Sequence, residues 1–212
     1  MKTVATILAG GKSRRMGRDK ALLPVDGRPL LAVQAERWRD VFDALVISAD
    51  TRERFAALEL GGARIVEDTR PGAGPMAGLE AVMRAVPAER YFLTAVDLPF
   101  GSPGLARELD RRMGDAGACL IRREGRGWEP LFALYARSCL PAISAALDRG
   151  ERSFYRGLLP AVKVREIPEK SLPGFPLDRL LLNANTPEEW TVSQYLSKKN
   201  TSNDSKLDST RI

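Results

Sequence analysis

The chain has 212 residues, of which 44% are hydrophobic and 28% charged, and its formal net charge is +6. These values predict one globular domain with a sizeable core and exclude a disordered chain; the longest apolar runs are also too short to span a bilayer. Histidine is absent, which excludes a Ser-His-Asp triad and the usual zinc sites. Any bound metal should therefore take oxygen ligands.

Short runs rich in valine, isoleucine and leucine alternate with helix-like stretches, which is typical of a mostly parallel sheet covered by helices. Strands are predicted near residues 3–8, 44–48, 64–66, 91–96, 118–121, 131–135, 162–166 and 180–182. Helices are predicted near residues 29–40, 51–58, 76–86, 102–113, 138–148, 153–159 and 187–196. The predicted fold is α/β, a three-layer Rossmann-like nucleotide-binding domain over residues 1–196, followed by a disordered polar tail at 197–212.

Further features of the sequence bear on the ligands, the thiols and the cellular location of the protein. The basic residues are spread along the chain and are not interleaved with aromatic residues, so attraction of small polyanions explains the net charge as well as nucleic acid does, and we expect no nucleic-acid partner. Cys119 and Cys139 belong to no metal-binding or redox motif, so we expect buried free thiols. The amino terminus lacks the pattern of a signal peptide, and we expect a cytoplasmic protein without membrane contact.

The first predicted strand leads into a basic glycine-rich loop, LAGGKSRRMGRDK, at residues 8–20. Its Gly-Lys-Ser triplet resembles the end of a P-loop, but that motif requires a glycine where this chain has Thr6. The glycines nevertheless allow backbone N–H groups to converge on an anion, while Arg15 and Lys20 add positive charge. The loop therefore predicts a phosphate site, with an ordinary glycine turn bearing a solvated basic face as the alternative.

Polar residues follow several predicted strands at the point where each strand ends. Asp68 follows the third strand, Asp97 follows the strand at 91–96, and Asn183 and Asn185 follow the last. Ligands of open parallel sheets bind beyond the carboxyl ends of the strands. We therefore expect these residues and the glycine loop to converge at one edge of the sheet.

Asp97 is the candidate ligand for a metal ion. A carboxylate at the end of a buried strand is costly unless it is paired or binds a cation. Magnesium is usually held by one or two carboxylates together with substrate phosphates. The alternative is a helix cap or a salt-bridged aspartate at a strand end.

A second glycine-rich segment, RPGAGPMAGL, occupies residues 70–79. The spacing of its glycines is not that of the dinucleotide-binding fingerprint. Gly74 with the following proline is typical of a rigid entry to a helix, and Gly78 would allow close approach of a flat ligand or of a neighbouring backbone. A purely structural turn is the alternative.

Asn183 and Asn185 alternate at the end of the last predicted strand and would point to the same side. Their amides could help to complete a phosphate or metal site. Helix capping would explain Asn185 equally well.

Five segments together carry a resemblance: LAGGKSRRMGRDK, EDTRPGAGPMAGL, TAVDLPF, EPLFALY and NANTPEEW. In order and approximate spacing they resemble the molybdenum cofactor guanylyltransferases, from Val4 to Trp190. The resemblance implies a fold of the nucleotide-diphospho-sugar transferase type. It also implies Mg²⁺-dependent transfer of GMP from GTP to molybdenum-molybdopterin with release of pyrophosphate.

The resemblance also implies roles for individual residues. Lys20 would contact the phosphates of GTP, and Asp97 would hold Mg²⁺ and the nucleotide together. Because displacement of pyrophosphate needs neutralisation of charge, we expect Arg15 to act with Lys20 in stabilising charge on the triphosphate. Asp68 would contribute to nucleotide recognition, and contact with the metal is the alternative role for it. The remaining residues expected to bind substrate are Leu8, Ala9, Gly10, Gly11, Ser48, Gly74, Gly78, Asn183 and Asn185. The expected partners are the small-molecule substrates and, transiently, cofactor delivery proteins and molybdoenzyme chaperones.

Two residues depart from the pattern of the family. Ser48 lies where an asparagine is expected, which leaves the selectivity for guanine open, and Glu129 replaces a histidine found in some relatives. A cytidylyltransferase or sugar-nucleotide transferase is the alternative enzyme, although Asp19 stands where the sugar enzymes resemble one another in carrying proline. A non-catalytic polyanion-binding module is the alternative from another class.

Overall fold

The computed structural model describes residues 2–10 and 19–183, and its main feature is a seven-stranded sheet. The nine described strands are Thr3–Leu8 (β1), Pro24–Val25 (β2), Arg28–Pro29 (β3), Ala44–Ala49 (β4), Arg64–Glu67 (β5), Arg90–Ala95 (β6), Ala118–Arg123 (β7), Gly127–Ala136 (β8) and Val164–Pro168 (β9). The sheet has the order β5-β4-β1-β6-β8-β7-β9, and β2 and β3 form a separate hairpin.

The sheet is mostly parallel, as predicted from the sequence. β1 pairs in parallel with β4 and β6, β5 with β4, and β9 with β7. Among the described strands of this sheet only β8 runs against its neighbours, because it pairs antiparallel with both β6 and β7. The carboxyl ends of β5, β4, β1 and β6 therefore lie at one edge.

The described α-helices are Leu30–Trp38 (α1), Pro75–Ala85 (α2), Pro103–Met113 (α3), Leu140–Asp148 (α4) and Leu177–Leu180 (α5). The predicted helices at 51–58 and 153–159 are shorter than expected: a 3₁₀ turn at Glu53–Phe55 and a π-helical segment at Phe154–Leu158. Proline opens α2 and α3, where its missing N–H costs no helical hydrogen bond.

The strand predicted at 180–182 is wrong, since α5 ends at Leu180 and a turn follows it. Leu177 and Leu181 are both buried, and the amide of Leu181 donates to the carbonyl of Leu177 at 3.0 Å. The leucines thus follow the i, i+4 spacing of a helix. The helix predicted at 187–196 and the tail at 197–212 lie outside the described residues.

Both faces of the sheet are buried, which gives the predicted three layers. Alternate residues of β1 enter different cores: Val4 and Leu8 pack with α2 and α4, whereas Ala5 and Ile7 pack with α1 and α3. This alternation follows from the period of two in a strand. Because helices cover both faces, a ligand of this sheet is expected at the ends of its strands.

The two cysteines are buried free thiols, as predicted. Burial raises the pKa of Cys119 and of Cys139 to about 12. Both side chains thus remain protonated at neutral pH and act as small apolar groups in the core. Within the described part of the chain, no helix has the length and apolar character required to cross a membrane.

Candidate active site

A cavity of about 710 Å³ lies at the carboxyl edge of the parallel strands. Its volume is in the range typical of small-molecule sites. The residues that line it come from the ends of four strands and from the loops that follow them. Those expected from the sequence are Leu8, Ala9, Gly10, Lys20, Ser48, Asp68, Gly74, Gly78 and Asp97. The cavity therefore lies where the rule for parallel sheets places it.

The structure does not bring every expected residue to this cavity. Asn183 is described and exposed, but it does not contribute to the lining. Its expected pairing with Asn185 required a strand at 180–182, but α5 ends at Leu180 and a turn follows. Asn185, Gly11 and Arg15 lie outside the described residues, and their roles stay predictions.

Lys20 and Asp97 form an ion pair at the cavity. Lys20 Nζ donates to Asp97 Oδ2 at 3.0 Å, and the side chains are 17% and 22% exposed. Lys20 opens a 3₁₀ turn, which Asp19 caps by accepting from the amide of Ala21 at 3.0 Å. The salt-bridged aspartate considered above is thus present, and it places a cation and a carboxylate side by side at the end of β6.

Gln34 braces the backbone on both sides of Asp97. Its buried Nε2 donates to the carbonyl of Val96 at 3.3 Å and to that of Leu98 at 3.0 Å, while its Oε1 accepts from Trp38 Nε1 at 2.8 Å. The amide can make these bonds because α1 packs beneath the end of β6. α1 therefore fixes the segment that carries Asp97.

Ser48 and Asp68 form a second polar pair in the cavity wall. Ser48 Oγ, at the end of β4, donates to Asp68 Oδ1 at 2.8 Å. Burial raises the pKa of Asp68, the hydrogen bond from Ser48 opposes this rise, and the charge of Asp50 adds to it. The hydrogen bond from Ser48 thus orients the carboxylate in the wall of the cavity.

Gly78 leaves room for this pair. A Cβ added at Gly78 would lie 2.5 Å from Ser48 Oγ, 2.9 Å from Leu8 Cδ2 and 3.3 Å from Asp68 Oδ1. The sequence predicted that a ligand or a neighbouring backbone would approach Gly78 closely; in the structure the side chains of Ser48, Leu8 and Asp68 do so. Gly74 precedes α2 with φ of 85°, in the left-handed region that glycine tolerates, so it forms the expected helix entry.

Arg54 also lines the cavity, although no pattern in the sequence marked it as a site residue. Its guanidinium donates to both carboxylate oxygens of Asp19, at 2.5 and 2.6 Å, to the carbonyl of Ala9 at 2.9 Å and to Asp50 Oδ1 at 2.8 Å. One side chain thus joins three segments at the rim of the cavity. The 3₁₀ turn at Glu53–Phe55 directs it there.

Glu129, which departs from the family pattern, lies outside the lining of the cavity. Its Oε1 is 3.6 Å from Arg123 Nη1, and burial raises the pKa of its carboxyl group. Leu131, two residues further along β8, does line the cavity. β8 therefore borders the cavity next to β6, whereas β5 lies at the other end of the row of strands that contribute to the cavity.

Comparisons with known proteins find relatives over most of the chain. Residues 5–164 match the profile of the MobA-like NTP transferase domain. The chain is 30% identical to a probable molybdenum cofactor guanylyltransferase from Pelotomaculum thermopropionicum, over 93% of this chain and 95% of the relative. It is 35% identical to a protein of the same name from Synechococcus elongatus, over 92% of this chain and 99% of the relative.

A solved structure has the same fold. Molybdopterin-guanine dinucleotide biosynthesis protein A from Archaeoglobus fulgidus superposes with a TM-score of 0.80 and 24% sequence identity. The match covers 92% of this chain and 99% of that protein. The arrangement of strands described above is therefore that of a known fold.

Proposed function

We propose that this chain, which belongs to the MobA-like NTP transferase family, transfers GMP from GTP to molybdenum-molybdopterin and releases pyrophosphate. The observation that carries the proposal is the presence of two polar pairs, Ser48–Asp68 and Lys20–Asp97, in one cavity. Asp68 follows β5 and Asp97 follows β6, and these strands lie three strand spacings apart, on the order of 14 Å. One nucleotide can therefore reach Asp68 with its base and Lys20 with its phosphates.

Asp68 is the proposed acceptor for guanine. The Watson–Crick edge of guanine presents two adjacent donors, N1–H and the 2-amino group, and a carboxylate can accept both. Cytosine presents one donor next to an acceptor nitrogen, which a carboxylate repels. In this proposal Ser48 supports the role of Asp68 by orienting its carboxylate through the hydrogen bond from Oγ.

Lys20 and Asp97 are the proposed contacts to the phosphates. We propose that Asp97 holds Mg²⁺ together with phosphate oxygens of the substrate. Over residues 2–10 and 19–183 no three or more acidic or cysteine side chains gather as a metal site, so the phosphates would supply the other ligands. When bound, the ion would neutralise negative charge on the phosphates.

The transfer itself needs alignment and charge neutralisation more than proton transfer. A terminal phosphate oxygen of molybdenum-molybdopterin forms a bond to the α-phosphorus of GTP, and the bond from that phosphorus to the oxygen bridging to the β-phosphorus breaks. The attacking phosphate is already anionic at neutral pH, so no general base is required. A chain without histidine can therefore perform this reaction.

We also propose a cellular location and protein partners for the enzyme. Its requirement for GTP supports a location in the cytoplasm. The oxygen-sensitive cofactor supports transient contact with the proteins that deliver it and with the chaperones that receive the product.

Pyrophosphate release is the test of this function. We expect release with GTP, Mg²⁺ and molybdenum-loaded molybdopterin, and none with CTP, ATP or UTP. Asp68→Asn should lower kcat/KM for GTP by about 100-fold, because it removes a charged acceptor and turns an amide donor toward guanine. The matched control is Asp115→Asn, an exposed aspartate paired with Lys163 outside the cavity, which should leave kcat/KM unchanged.

Other outcomes of the pyrophosphate-release assay would identify a different activity. Release with CTP in place of GTP would identify a cytidylyltransferase of the same fold. Release with sugar 1-phosphates as acceptors would identify a sugar-nucleotide enzyme. Nucleotide binding without release from any nucleotide would support a polyanion-binding module.

Gln34→Met should lower both stability and turnover. The variant leaves the carbonyls of Val96 and Leu98 and the indole N–H of Trp38 without this partner. Each buried polar group left unpaired costs about 1–3 kcal/mol. The segment that carries Asp97 also loses its brace, and we expect kcat to fall about tenfold, measured by pyrophosphate release.

Tyr91→Phe separates these two effects. The buried Tyr91 hydroxyl bonds the backbone of Val86 and Ala88 at the opposite end of β6. Its loss should destabilise the fold without lowering kcat. Equal values of kcat for Gln34→Met and Tyr91→Phe would contradict the bracing role of Gln34.

A further inference from the structure

Arg54 joins two stretches of chain that are distant in sequence from it. The carbonyl of Ala9, directly after β1, accepts from Nη1 at 2.9 Å. The carboxylate of Asp19 accepts from Nε and Nη2 in a two-pronged contact. The guanidinium therefore ties the backbone that leaves β1 to the residue that immediately precedes Lys20.

Asp19 transmits this contact to Lys20. One of its oxygens also accepts from the amide of Ala21 and so caps the turn at Lys20–Leu22. A shift of Asp19 would move the start of that turn. The position of Lys20 Nζ, 3.0 Å from Asp97, thus depends on where Arg54 holds Asp19.

The charges around Arg54 argue against direct binding of phosphate. Its single positive charge contacts two carboxylates, those of Asp19 and Asp50. Its side chain is 17% exposed, and all three guanidinium nitrogens donate to protein oxygens. An arginine whose donors are used in this way is suited to position other groups.

We propose that Arg54 is a positioning residue for the transfer reaction, acting through Asp19 to hold Lys20 at the phosphate end of the cavity. The inference rests on the proposed function and deepens it. Arginine is required because its planar fork grips both oxygens of Asp19 while the remaining nitrogen reaches Ala9 and Asp50. A lysine has one nitrogen and cannot span these partners.

Arg54→Lys is the test, measured by steady-state pyrophosphate release beside the wild-type enzyme. We expect kcat/KM for GTP to fall by about 30-fold, because the charge is kept while the fork is lost. The KM for molybdenum-molybdopterin should change by less than about twofold. The control is Arg111→Lys on α3, which removes the same kind of two-pronged contact, to the carboxylate of Glu108, and should keep wild-type kinetics.

A double variant distinguishes positioning from phosphate binding. Asp19→Asn alone should reproduce most of the loss in kcat/KM for GTP, and the double variant with Arg54→Lys should be no worse than Arg54→Lys alone. Losses that multiply would mean that Arg54 contacts the phosphates itself and would overturn the proposal. A fully active Asp19→Asn would overturn it as well, even if Arg54→Lys failed to fold.

Failure of the inference is distinguishable from failure of the proposed function. Wild-type protein that releases no pyrophosphate with any nucleotide would refute the proposed function. Active wild-type protein with an equally active Arg54→Lys variant would refute only the role of Arg54. A parallel fall in Tm and in kcat/KM for both substrates would assign Arg54 a merely structural role and would also overturn the proposal.

Discussion

Asp97→Asn should lower kcat for pyrophosphate release by about 1,000-fold or more, while the affinity for GTP falls far less. The substitution removes the charge that pairs with Lys20 and that we propose to hold Mg²⁺. Both functions matter most when charge moves from the α-phosphate to the leaving pyrophosphate, so the loss should fall on kcat. Steady-state kinetics and calorimetric titration of GTP measure the two quantities separately.

The control for this variant is Asp110→Asn on α3. Asp110 is also partly buried, 28% exposed, and pairs with an arginine, Arg90, at 2.9 Å. The Asp110→Asn variant should lose stability, and its kcat should stay unchanged. If Asp97→Asn keeps kcat within tenfold of the wild-type value, Asp97 has no central part in the transfer.

Gly78→Ala should weaken GTP binding by about 100-fold in a protein that still folds. The new Cβ would lie 2.5 Å from Ser48 Oγ and 2.9 Å from Leu8 Cδ2, so both side chains must move, and the hydrogen bond from Ser48 to Asp68 breaks. The helix itself gains, since alanine is more favourable than glycine inside a helix by about 1 kcal/mol. The effect should therefore appear in the Kd for GTP and much less in Tm.

Gly104→Ala is the matched change in α3, where a Cβ would meet only ordinary contacts at 3.6 Å. It should leave the Kd for GTP unchanged. A normal Kd for Gly78→Ala would show that Ser48 can move without disturbing Asp68, and the proposed guanine contact would then have to lie elsewhere.

The sequence was informative wherever a pattern is local. Runs of branched aliphatic residues predicted the seven strands of the sheet, and the rule for carboxyl ends brought Asp68 and Asp97 to the site. The prediction of a strand at 180–182 was wrong because three successive leucines fit the alternating pattern of a strand as well as the hydrophobic pattern of a helix. The hydrogen bond from the amide of Leu181 to the carbonyl of Leu177 shows that the chain takes the helical turn.

The residues missed by sequence reasoning act through distant partners. Gln34 bonds carbonyls 62 and 64 positions away, and Arg54 contacts Asp19 and Ala9 across 35 and 45 positions. A lone amide in an apolar helix, or an arginine in a charged turn, has no local pattern that marks it. Such residues become recognisable only after the sheet has placed their partners.

The reversed direction of β8 has a consequence for how such an enzyme can diverge. Because β7 ends and β8 begins at the edge that holds the cavity, the turn between them, residues 124–126, emerges there too. Strands β5, β4, β1 and β6 carry the proposed nucleotide contacts, whereas this turn belongs to the other half of the sheet. Insertions in this turn can thus change the surroundings of the cavity during evolution while the strands that carry the proposed nucleotide contacts are inherited unchanged.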